Sequence, residues 1–397
     1  MAESDLTVLA VGDVFLDRPD RPGALKNVQS LFRAANIVFG NCEGVYAEQG
    51  GWERAPSCAA PVVADPAAIK ALADAGLTVM SLANNHSLDG GYRAMLATRD
   101  ALQKAGIAIS GAGENYAAAR RPAILQRAGQ TVSVLAYTSV FPHGYEARPK
   151  TPGLAVLRAH TICVPWEANE WYPGLLPRVM TLPHSVDEEA LAADIAQARE
   201  EADIVLLSFH WGDHTRPYVL TDHERRTARL AIDAGADAVL GHHHHMLRGV
   251  EFHKGKPIFY GLGHFAFDLP DFNARVAAAG YMVGSNRAEE RAQARRFGEY
   301  RLREYEGYPL LPFHPDARLT MIAGLTFSCG QLSRVYGIPC LLGADNSPLP
   351  VDAAGPEGTR IVNYLQRCCD EEDLSTLITV EGATGDGHGV AAFVARN

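Results

Sequence analysis

The 397-residue sequence has little positive charge and no long hydrophobic run. Its 36 Lys and Arg residues are outnumbered by 46 Asp and Glu residues, which gives a net charge of −10. Proteins that bind nucleic acid or anionic membranes usually carry a basic patch, and the sequence contains none. No apolar stretch reaches the roughly 18–20 residues of a membrane-spanning helix. We therefore expect neither a nucleic-acid partner nor a membrane partner.

The N-terminus also lacks the features of a secretory signal. It opens with an acidic segment instead of basic residues and leads directly into an apolar, strand-like segment. The seven cysteines lie far apart except for Cys368-Cys369, so they predict neither a disulfide framework nor a CxxC metal site. These features favour a reducing, cytoplasmic location. They leave the oligomeric state open.

Common nucleotide-binding and nucleophile motifs are missing as well. No GxSxG, P-loop or GxGxxG motif lies between a predicted strand and a predicted helix. Gly111-x-Gly113 is only a turn signal. The sequence therefore predicts no nucleotide cofactor.

The sequence alternates helical segments with short apolar segments that end in polar residues. Helical spacing over 66–75 stops at Gly76, and two capping boxes, Ser185-x-x-Glu188 and Thr221-x-x-Glu224, predict further helix starts. Such alternation predicts an α/β fold with a largely parallel or mixed sheet and a site beyond the strand ends. The apolar segments lead into Gly12-Asp13, Asn41-Cys42-Glu43, Asn84-Asn85-His86, His210 and Gly241 with four histidines.

Histidines are concentrated in the second half of the chain. Nine of the fifteen fall between residues 210 and 264, and His242–His245 follow a glycine at a predicted strand end. Imidazole binds zinc, iron and manganese, and Asp13, Glu43 and Asn85 offer oxygen ligands. The pattern predicts a metal centre at the strand ends. Taken singly, each residue has a structural alternative, because Asp and Asn often stabilise turns and a lone His often lies in the core.

Two histidines are followed three residues later by a carboxylate. These pairs are His86 with Asp89, and His210 with Asp213. A carboxylate that holds one ring nitrogen fixes the tautomer and raises the basicity of the imidazole, which suits acid–base catalysis. Alternatively, each pair could form a local hydrogen bond that only stabilises its loop. His264 is a weaker candidate for either role.

The order of these motifs resembles that of CapA-like proteins of the calcineurin-like metallophosphoesterase superfamily. The resemblance covers at least residues 6 to 268. It implies a four-layer α/β/β/α sandwich with mixed sheets, and we expect one such domain over residues 1–397. The segments 140–185 and 270–315 lack clear periodicity, and we expect them to be insertions in this domain. The motifs that carry it are Gly12-Asp13-Val14, Asn41-x-Glu43, Asn84-Asn85-His86-Ser87-Leu88-Asp89, His210-Trp211-Gly212 and Gly241-His242-His243-x-His245.

The resemblance also implies a centre of one or two divalent cations per chain. Asp13 and the last histidine of the run would bind one cation. Asn85, His210 and an earlier histidine of the run would bind the other, and Glu43 would bridge the two. Calcium, manganese, zinc, iron and magnesium are all compatible with such mixed ligands. The implied ligand set is Asp13, Glu43, Asn85, His210, His243 and His245.

Several positions depart from the family pattern. The usual Asp-x-His opening reads Asp13-Val14-Phe15, so the first cation loses an imidazole ligand. His244 stands where the family usually has Pro, and His264 stands where it usually has Asn. Capsule-type members are typically membrane-anchored, whereas this sequence shows no anchor. That difference argues against assembly of poly-γ-glutamate at the cell surface.

The sequence is also similar to the epimerases of lasso-peptide biosynthesis, which resemble CapA-like proteins without an anchor. The first hypothesis is therefore a metal-dependent peptide epimerase, an isomerase that inverts the Cα of a C-terminal residue in a ribosomal precursor peptide. His86 matches the family histidine that acts as an acid beside the metals. The alternatives are a metal-dependent phosphomonoesterase or phosphodiesterase, and a non-catalytic partner in polymer synthesis. The catalytic residues expected for the epimerase are His86, Asp89, His210, Asp213 and His245.

Overall fold

A computed structural model describes residues 5–58, 60–165, 177–278, 298–300, 302–382 and 389–395. Within the two predicted insertions, residues 166–176, 279–297 and 301 lie outside the described residues. In the described ranges, none of the helices combines the length and the apolar character needed to cross a membrane.

The chain alternates between strands and helices, as the sequence predicts. The described strands are β1 (Leu6–Phe15), β2 (Ile37–Cys42), β3 (Val45–Tyr46), β4 (Val63–Ala64), β5 (Val79–Ser81), β6 (Ala108–Ser110), β7 (Ala112–Gly113), β8 (Ala123–Arg127), β9 (Gln130–Thr138), β10 (Gly153–Leu154), β11 (Ala159–Val164), β12 (Arg178–Pro183), β13 (Ile204–His210), β14 (Ala238–His242), β15 (Val250–His253), β16 (Lys256–Phe259), β17 (His264–Phe267), β18 (Leu319–Ser328), β19 (Gln331–Leu342), β20 (Pro348–Pro350), β21 (Thr376–Glu381) and β22 (Val390–Ala395). The described α-helices are α1 (Gln29–Ala34), α2 (Ala68–Ala75), α3 (Gly91–Lys104), α4 (Tyr116–Ala119), α5 (Ser185–Glu201), α6 (Asp222–Asp233), α7 (Phe272–Ala278) and α8 (Pro356–Glu371). Short 3-10 helices occur at Pro22–Leu25, Gly298–Tyr300 and Pro315–Arg318.

Two mixed sheets form the centre of the fold. The larger sheet has the order β21-β22-β19-β18-β1-β2-β5-β6, with β17 beside β1 and β20 beside β19. Its strands β17, β1, β2, β5 and β6 are parallel, and the remaining strands are antiparallel. The second sheet has the order β15-β16-β14-β13-β9-β8, with β16, β14, β13 and β9 parallel. Parallel strands bring their carboxyl ends to a common edge of each sheet, where ligands bind in such folds.

The hydrophobic core fills both faces of the larger sheet. Alternate residues of β1 belong to different core clusters, with Val8 in the cluster shared with the second sheet and Leu9 in the cluster shared with α1, α2 and α3. Leu191 of α5 and Ala228 of α6 belong to the core of the second sheet. The layers are therefore α/β/β/α, and the predicted fold class is confirmed.

One of the two predicted capping boxes is present. The side chain of Thr221 caps α6 together with the glutamate three residues later, as predicted. The helix predicted from Ser185 is present as α5, but its predicted capping box is wrong, because Ser185 is the first helical residue and His184 occupies the capping position without a side-chain hydrogen bond. Glu188 instead forms an ion pair with Arg226 of α6, with an N–O distance of 2.7 Å. This side chain therefore joins two helices instead of capping one.

Candidate metal centre

The predicted ligands lie at the carboxyl ends of parallel strands from both sheets. Because the two sheets face each other, these ends converge on one edge of the sandwich. Asn85 and His86 are half-buried there, whereas the other predicted ligands are buried. Asp13 lies near the end of β1, Glu43 follows β2, Asn85 and His86 follow β5, His210 ends β13, and His243 and His245 follow β14.

A β-bulge sets the position of Asp13. The pairing of β1 with β17 shifts between Asp13 and Val14, and a bulge of this kind redirects a side chain. Residue 12 has to be glycine, because a Cβ there would lie 1.9 Å from the carbonyl oxygen of Gly263. The strand continues beyond the bulge to Phe15, past the end at Val11 that the apolar run predicts.

Asp13, His245 and His264 form a first group of possible metal ligands. One ligand atom from each lies within 4.8 Å of the others. Nδ1 of His245 is 3.1 Å from Oδ2 of Asp13 but is not aligned for a hydrogen bond. The other carboxylate oxygen of Asp13 accepts a hydrogen bond from Asn41 at 2.9 Å. Asp13 is thus held through one oxygen and keeps the other for a ligand.

Glu43, His210 and His243 form a second group with the same spacing limit of 4.8 Å. Nε2 of His210 lies 3.1 Å from Nδ1 of His243 and 2.6 Å from Oδ1 of Asn85. Oε1 of Glu43 lies 3.7 Å from Nε2 of His210 and 3.5 Å from Nε2 of His245. Glu43 therefore lies between the two groups, at the place of a bridging ligand.

Burial controls the charge of this cluster. It lowers the pKa of His210 and of His243 well below the usual value, so both imidazoles are neutral and keep a lone pair for a cation. Burial alone would raise the pKa of Asp13, but the neighbouring His245 lowers it. Burial and the charge of Asp13 raise the pKa of Glu43. A positive charge between the two carboxyl groups would relieve this repulsion.

The donor atoms fit a divalent cation. Buried polar atoms in proteins are nearly always hydrogen-bonded, and leaving one unpaired costs about 1–3 kcal/mol. Within the described ranges, several buried atoms of this cluster have no hydrogen-bond partner: Oδ2 of Asp13, Oε1 of Glu43, Nδ1 of His245 and both ring nitrogens of His264. Carboxylate oxygens and imidazole nitrogens together suit zinc, manganese or iron.

His86 and Asp89 form the hydrogen bond that their spacing predicts. Nδ1 of His86 is 2.8 Å from Oδ2 of Asp89, which also accepts from the backbone N–H of Val62. The hydroxyl of Tyr145 donates to the other oxygen of Asp89 at 3.0 Å. The imidazole is 24% exposed, whereas the carboxylate is 2% exposed. Asp89 thus holds Nδ1 of His86 from inside the protein, which leaves Nε2 as the ring nitrogen that a proton transfer would use.

Asp213 does not orient His210, so that prediction is wrong. The carboxylate of Asp213 accepts from the backbone N–H of Thr215 at 2.7 Å and pairs with Arg216 at 2.7 Å. Gly212 has a φ of 83° and turns the chain directly after Trp211. Asp213 therefore organises its own loop, while the ring of His210 lies in the second ligand group.

The run of four histidines divides between two surroundings. His243 and His245 belong to the ligand groups, and both have positive φ, at 93° and 56°. Such backbone conformations in non-glycine residues cost about 1–3 kcal/mol each and concentrate at functional sites. His242 contacts a backbone carbonyl of β1, and His244 pairs with Glu224 at 2.8 Å. Two of the four imidazoles are thus structural.

The structure also brings to the site His214, which the sequence motifs did not indicate, and His264, which was only a weaker candidate. The ring centroid of His214 lies 5.0 Å from that of His243 and 6.4 Å from that of His245. Its loop is held by Arg248, whose Nη2 donates to two backbone carbonyls of the loop at 2.9 and 2.6 Å. His264 belongs to the first ligand group. The sequence signal that could have indicated both histidines is their position within a few residues of a predicted strand end.

Comparison with known proteins points to one family. The family model described as "Bacterial capsule synthesis protein PGA_cap" matches residues 7–269. The PGA biosynthesis protein CapA of Bacillus subtilis (strain 168) is 31% identical over 274 residues, which cover 66% of this chain and 63% of that protein. The uncharacterized protein y4sH of Sinorhizobium fredii is 29% identical over 438 aligned positions, which cover 96% and 92%. A hypothetical protein from Thermus thermophilus, of known structure, shows 15% identity and a TM-score of 0.44 over 84% of this chain and 98% of its own.

The match to the family includes every predicted ligand. It begins before Asp13 and ends after His264. The chain spans 63% of the length of the Bacillus subtilis relative. The resemblance to CapA-like proteins is thereby confirmed at the level of the family. The chain belongs to the family of bacterial capsule synthesis proteins described as PGA_cap.

Proposed function

We propose that this chain is a metal-dependent enzyme in which the His86–Asp89 pair transfers protons to and from a peptide substrate. The observation that carries the proposal is a partly exposed imidazole, fixed by a buried carboxylate, beside two groups of buried oxygen and nitrogen donors. His86 directly follows Asn85, whose Oδ1 lies 2.6 Å from Nε2 of His210, so the pair lies next to the second ligand group. A purely structural metal site has no need of such an acid–base pair.

The reaction we propose is epimerisation at a peptide Cα. A base removes the Cα proton, and an acid on the opposite face returns one. A divalent cation, when bound, would stabilise the negative charge that develops beside a carboxylate. His86 serves one face, and a histidine of the cluster between His210 and His245 serves the other. The structure adds His214, which is half-buried beside His243, to those candidates.

The name of the Bacillus subtilis relative supports a peptide-like substrate. That protein is named for PGA biosynthesis. If PGA denotes poly-γ-glutamate, such a polymer presents amides and carboxylates, as a precursor peptide does at its C-terminus. Both substrates would place a carboxylate near the cation site.

A second candidate is hydrolysis of a phosphate ester. The observation that favours it is the pair of adjacent ligand groups with Glu43 between them, because neighbouring cations sharing a carboxylate are typical of phosphoesterases. In that reaction His86 would donate a proton to the leaving oxygen. A non-catalytic role in polymer synthesis is the third possibility and requires neither proton transfer nor turnover.

Mass spectrometry in D2O tests the proposal. The metal-loaded protein is incubated separately with a lasso-type precursor peptide and with γ-linked glutamate oligomers. Incorporation of one deuterium at a backbone Cα, abolished by a chelator, would support epimerisation. Hydrolysis of an activated phosphomonoester or phosphodiester without any exchange would favour the second candidate. Metal binding without either reaction would contradict the enzymatic proposal.

A matched pair of variants separates catalysis from coordination. His86→Ala should abolish turnover and leave fold and metal content unchanged. His253→Ala is the control, because His253 is 25% exposed and pairs with Asp233 at 2.8 Å, like the catalytic pair but away from the site. Loss of metal from His86→Ala would instead indicate that His86 is a metal ligand. Equal losses of activity in both variants would contradict a specific role for His86.

A further inference from the structure

We propose that His264 is a ligand of the first cation and supplies the imidazole that is missing at Phe15. The inference rests on the proposed metal-dependent function and adds a residue to the same centre.

Strand pairing places His264 directly beside Asp13. The two residues are paired with each other in the parallel pairing of β1 with β17, at the position directly before the bulge. Partners on neighbouring strands project to the same face of a sheet. The ring centroid of His264 lies 4.7 Å from that of His245, and ligand atoms of all three residues lie within 4.8 Å of one another.

Both nitrogens of His264 are buried and unpaired. The side chain is 0% exposed, and in the part of the chain that the structure describes neither nitrogen has a hydrogen-bond partner. An imidazole always offers at least one N–H donor, and the neutral ring also offers an acceptor, so burying both without partners costs free energy. Phenylalanine would fill the same space at lower cost. A bound cation accounts for the presence of a nitrogen base here.

Phe15 cannot supply a ligand and lies in the core. Its ring is buried and stacks on Tyr46, with centroids 5.0 Å apart, and contacts Phe267 at 6.2 Å. With His264 included, the first group contains one carboxylate and two imidazoles. The second group, around Glu43, has the same composition. Two histidines and one carboxylate form a common binding set for iron and related cations.

The competing explanation is aromatic packing. The ring of His264 meets Phe313 edge-on at 4.3 Å and stacks on Phe267 at 5.2 Å. If packing alone explains this residue, His264→Phe should preserve both the fold and the metal centre. If His264 is a ligand, the same variant should fold well and bind metal poorly. This substitution keeps an aromatic ring and removes both nitrogens, so it separates the two explanations.

The test measures zinc, manganese and cobalt per chain, and the affinity for each, by elemental analysis and chelator competition. We expect His264→Phe to lose one of two bound cations, or to lose at least about tenfold in affinity if one is bound, since even supporting residues of metal ligands contribute about 10–100-fold. The metal affinity of His264→Asn should lie between those of the wild-type chain and His264→Phe, because the amide oxygen of Asn is a weaker ligand than imidazole. The control is His223→Asn, a buried histidine that bonds Ser139 at 3.0 Å outside both groups.

Spectroscopy of the cobalt-loaded protein gives a readout that does not depend on activity. Loss of an imidazole ligand should shift the visible absorption bands of His264→Phe but not those of His223→Asn. If folded His264→Phe keeps the wild-type spectrum and the wild-type metal content, His264 is not a ligand, and the proposed function is unaffected. Failure of the wild-type chain to bind any of the three metals would overturn the proposed function together with this inference.

Discussion

Asp89→Asn removes the charge that holds His86 while keeping the shape of the side chain. If the amide oxygen takes the position of Oδ2, the His86 ring and the Val62 N–H keep their acceptor. The Tyr145 hydroxyl can turn to accept from the new amide. Only the charge assistance of these bonds is lost, so the free energy of unfolding should fall by about 1–2 kcal/mol. Asp89→Ala would leave two or three donors unpaired and should cost about 2–5 kcal/mol.

The effect of Asp89→Asn on activity should be much larger than its effect on stability. General acid–base catalysis contributes about 10²–10⁴-fold, and a neutral partner leaves the imidazole oriented but less basic. We expect kcat/KM to fall by about 10²-fold, which corresponds to about 2.7 kcal/mol of transition-state stabilisation.

Three measurements on the same preparations check this prediction. Urea denaturation gives the stability, elemental analysis gives the metal content, and deuterium incorporation or ester hydrolysis gives the rate. Full activity of Asp89→Asn with unchanged metal content would refute the acid–base role of the pair. Loss of metal would show that Asp89 acts on the centre itself.

Three further predictions follow from the same site. His243→Ala should lower the metal affinity at least about tenfold without unfolding the chain, and unchanged affinity by chelator competition would remove it from the ligand set. Arg248→Met should release the loop that carries His214 and should lower activity about tenfold at constant metal content. Hydrogen exchange over residues 212–217 would detect the released loop, and an unchanged exchange pattern would contradict this positioning role. Burial lowers the pKa of several histidines, so in chelator-treated protein the unfolded chain binds protons that the folded chain does not. The free energy of unfolding should be highest above about pH 6.5 and should decrease as the pH is lowered further, by up to about 1.4 kcal/mol per pH unit for each histidine. A free energy of unfolding from urea denaturation that stays constant between about pH 5 and 7.5 would contradict the lowered pKa values. The histidines concerned are His210, His223, His242, His243, His244 and His264.

Local signals in the sequence predict most strands near the site, because each is a buried apolar run followed by a glycine or a polar residue. They predict less where pairing partners are distant. β1 extends to Phe15 because its end pairs with β17, and as far as Val14 with β2. The tail contains α8 and also β21 and β22, which join β19 at the edge of the larger sheet. Nothing local in the tail indicates that partner.

The same limit applies to the site residues. The spacing of His86 and Asp89 predicts their hydrogen bond, since both lie on one short turn. The same spacing fails for Asp213, because Gly212 turns the loop and Arg216 takes the carboxylate. The proximity of His264 to Asp13 depends on strand register across the whole domain. It could not be read from either segment alone.

Anomalous X-ray diffraction from crystals grown with manganese tests the central claim most directly. We predict a peak within coordination distance of Glu43, His210 and His243, and a second peak, where two cations bind, beside Asp13, His245 and His264. Removal of manganese with a chelator should abolish both peaks and the activity together. Absence of a peak at both positions, in protein that remains active, would contradict the account.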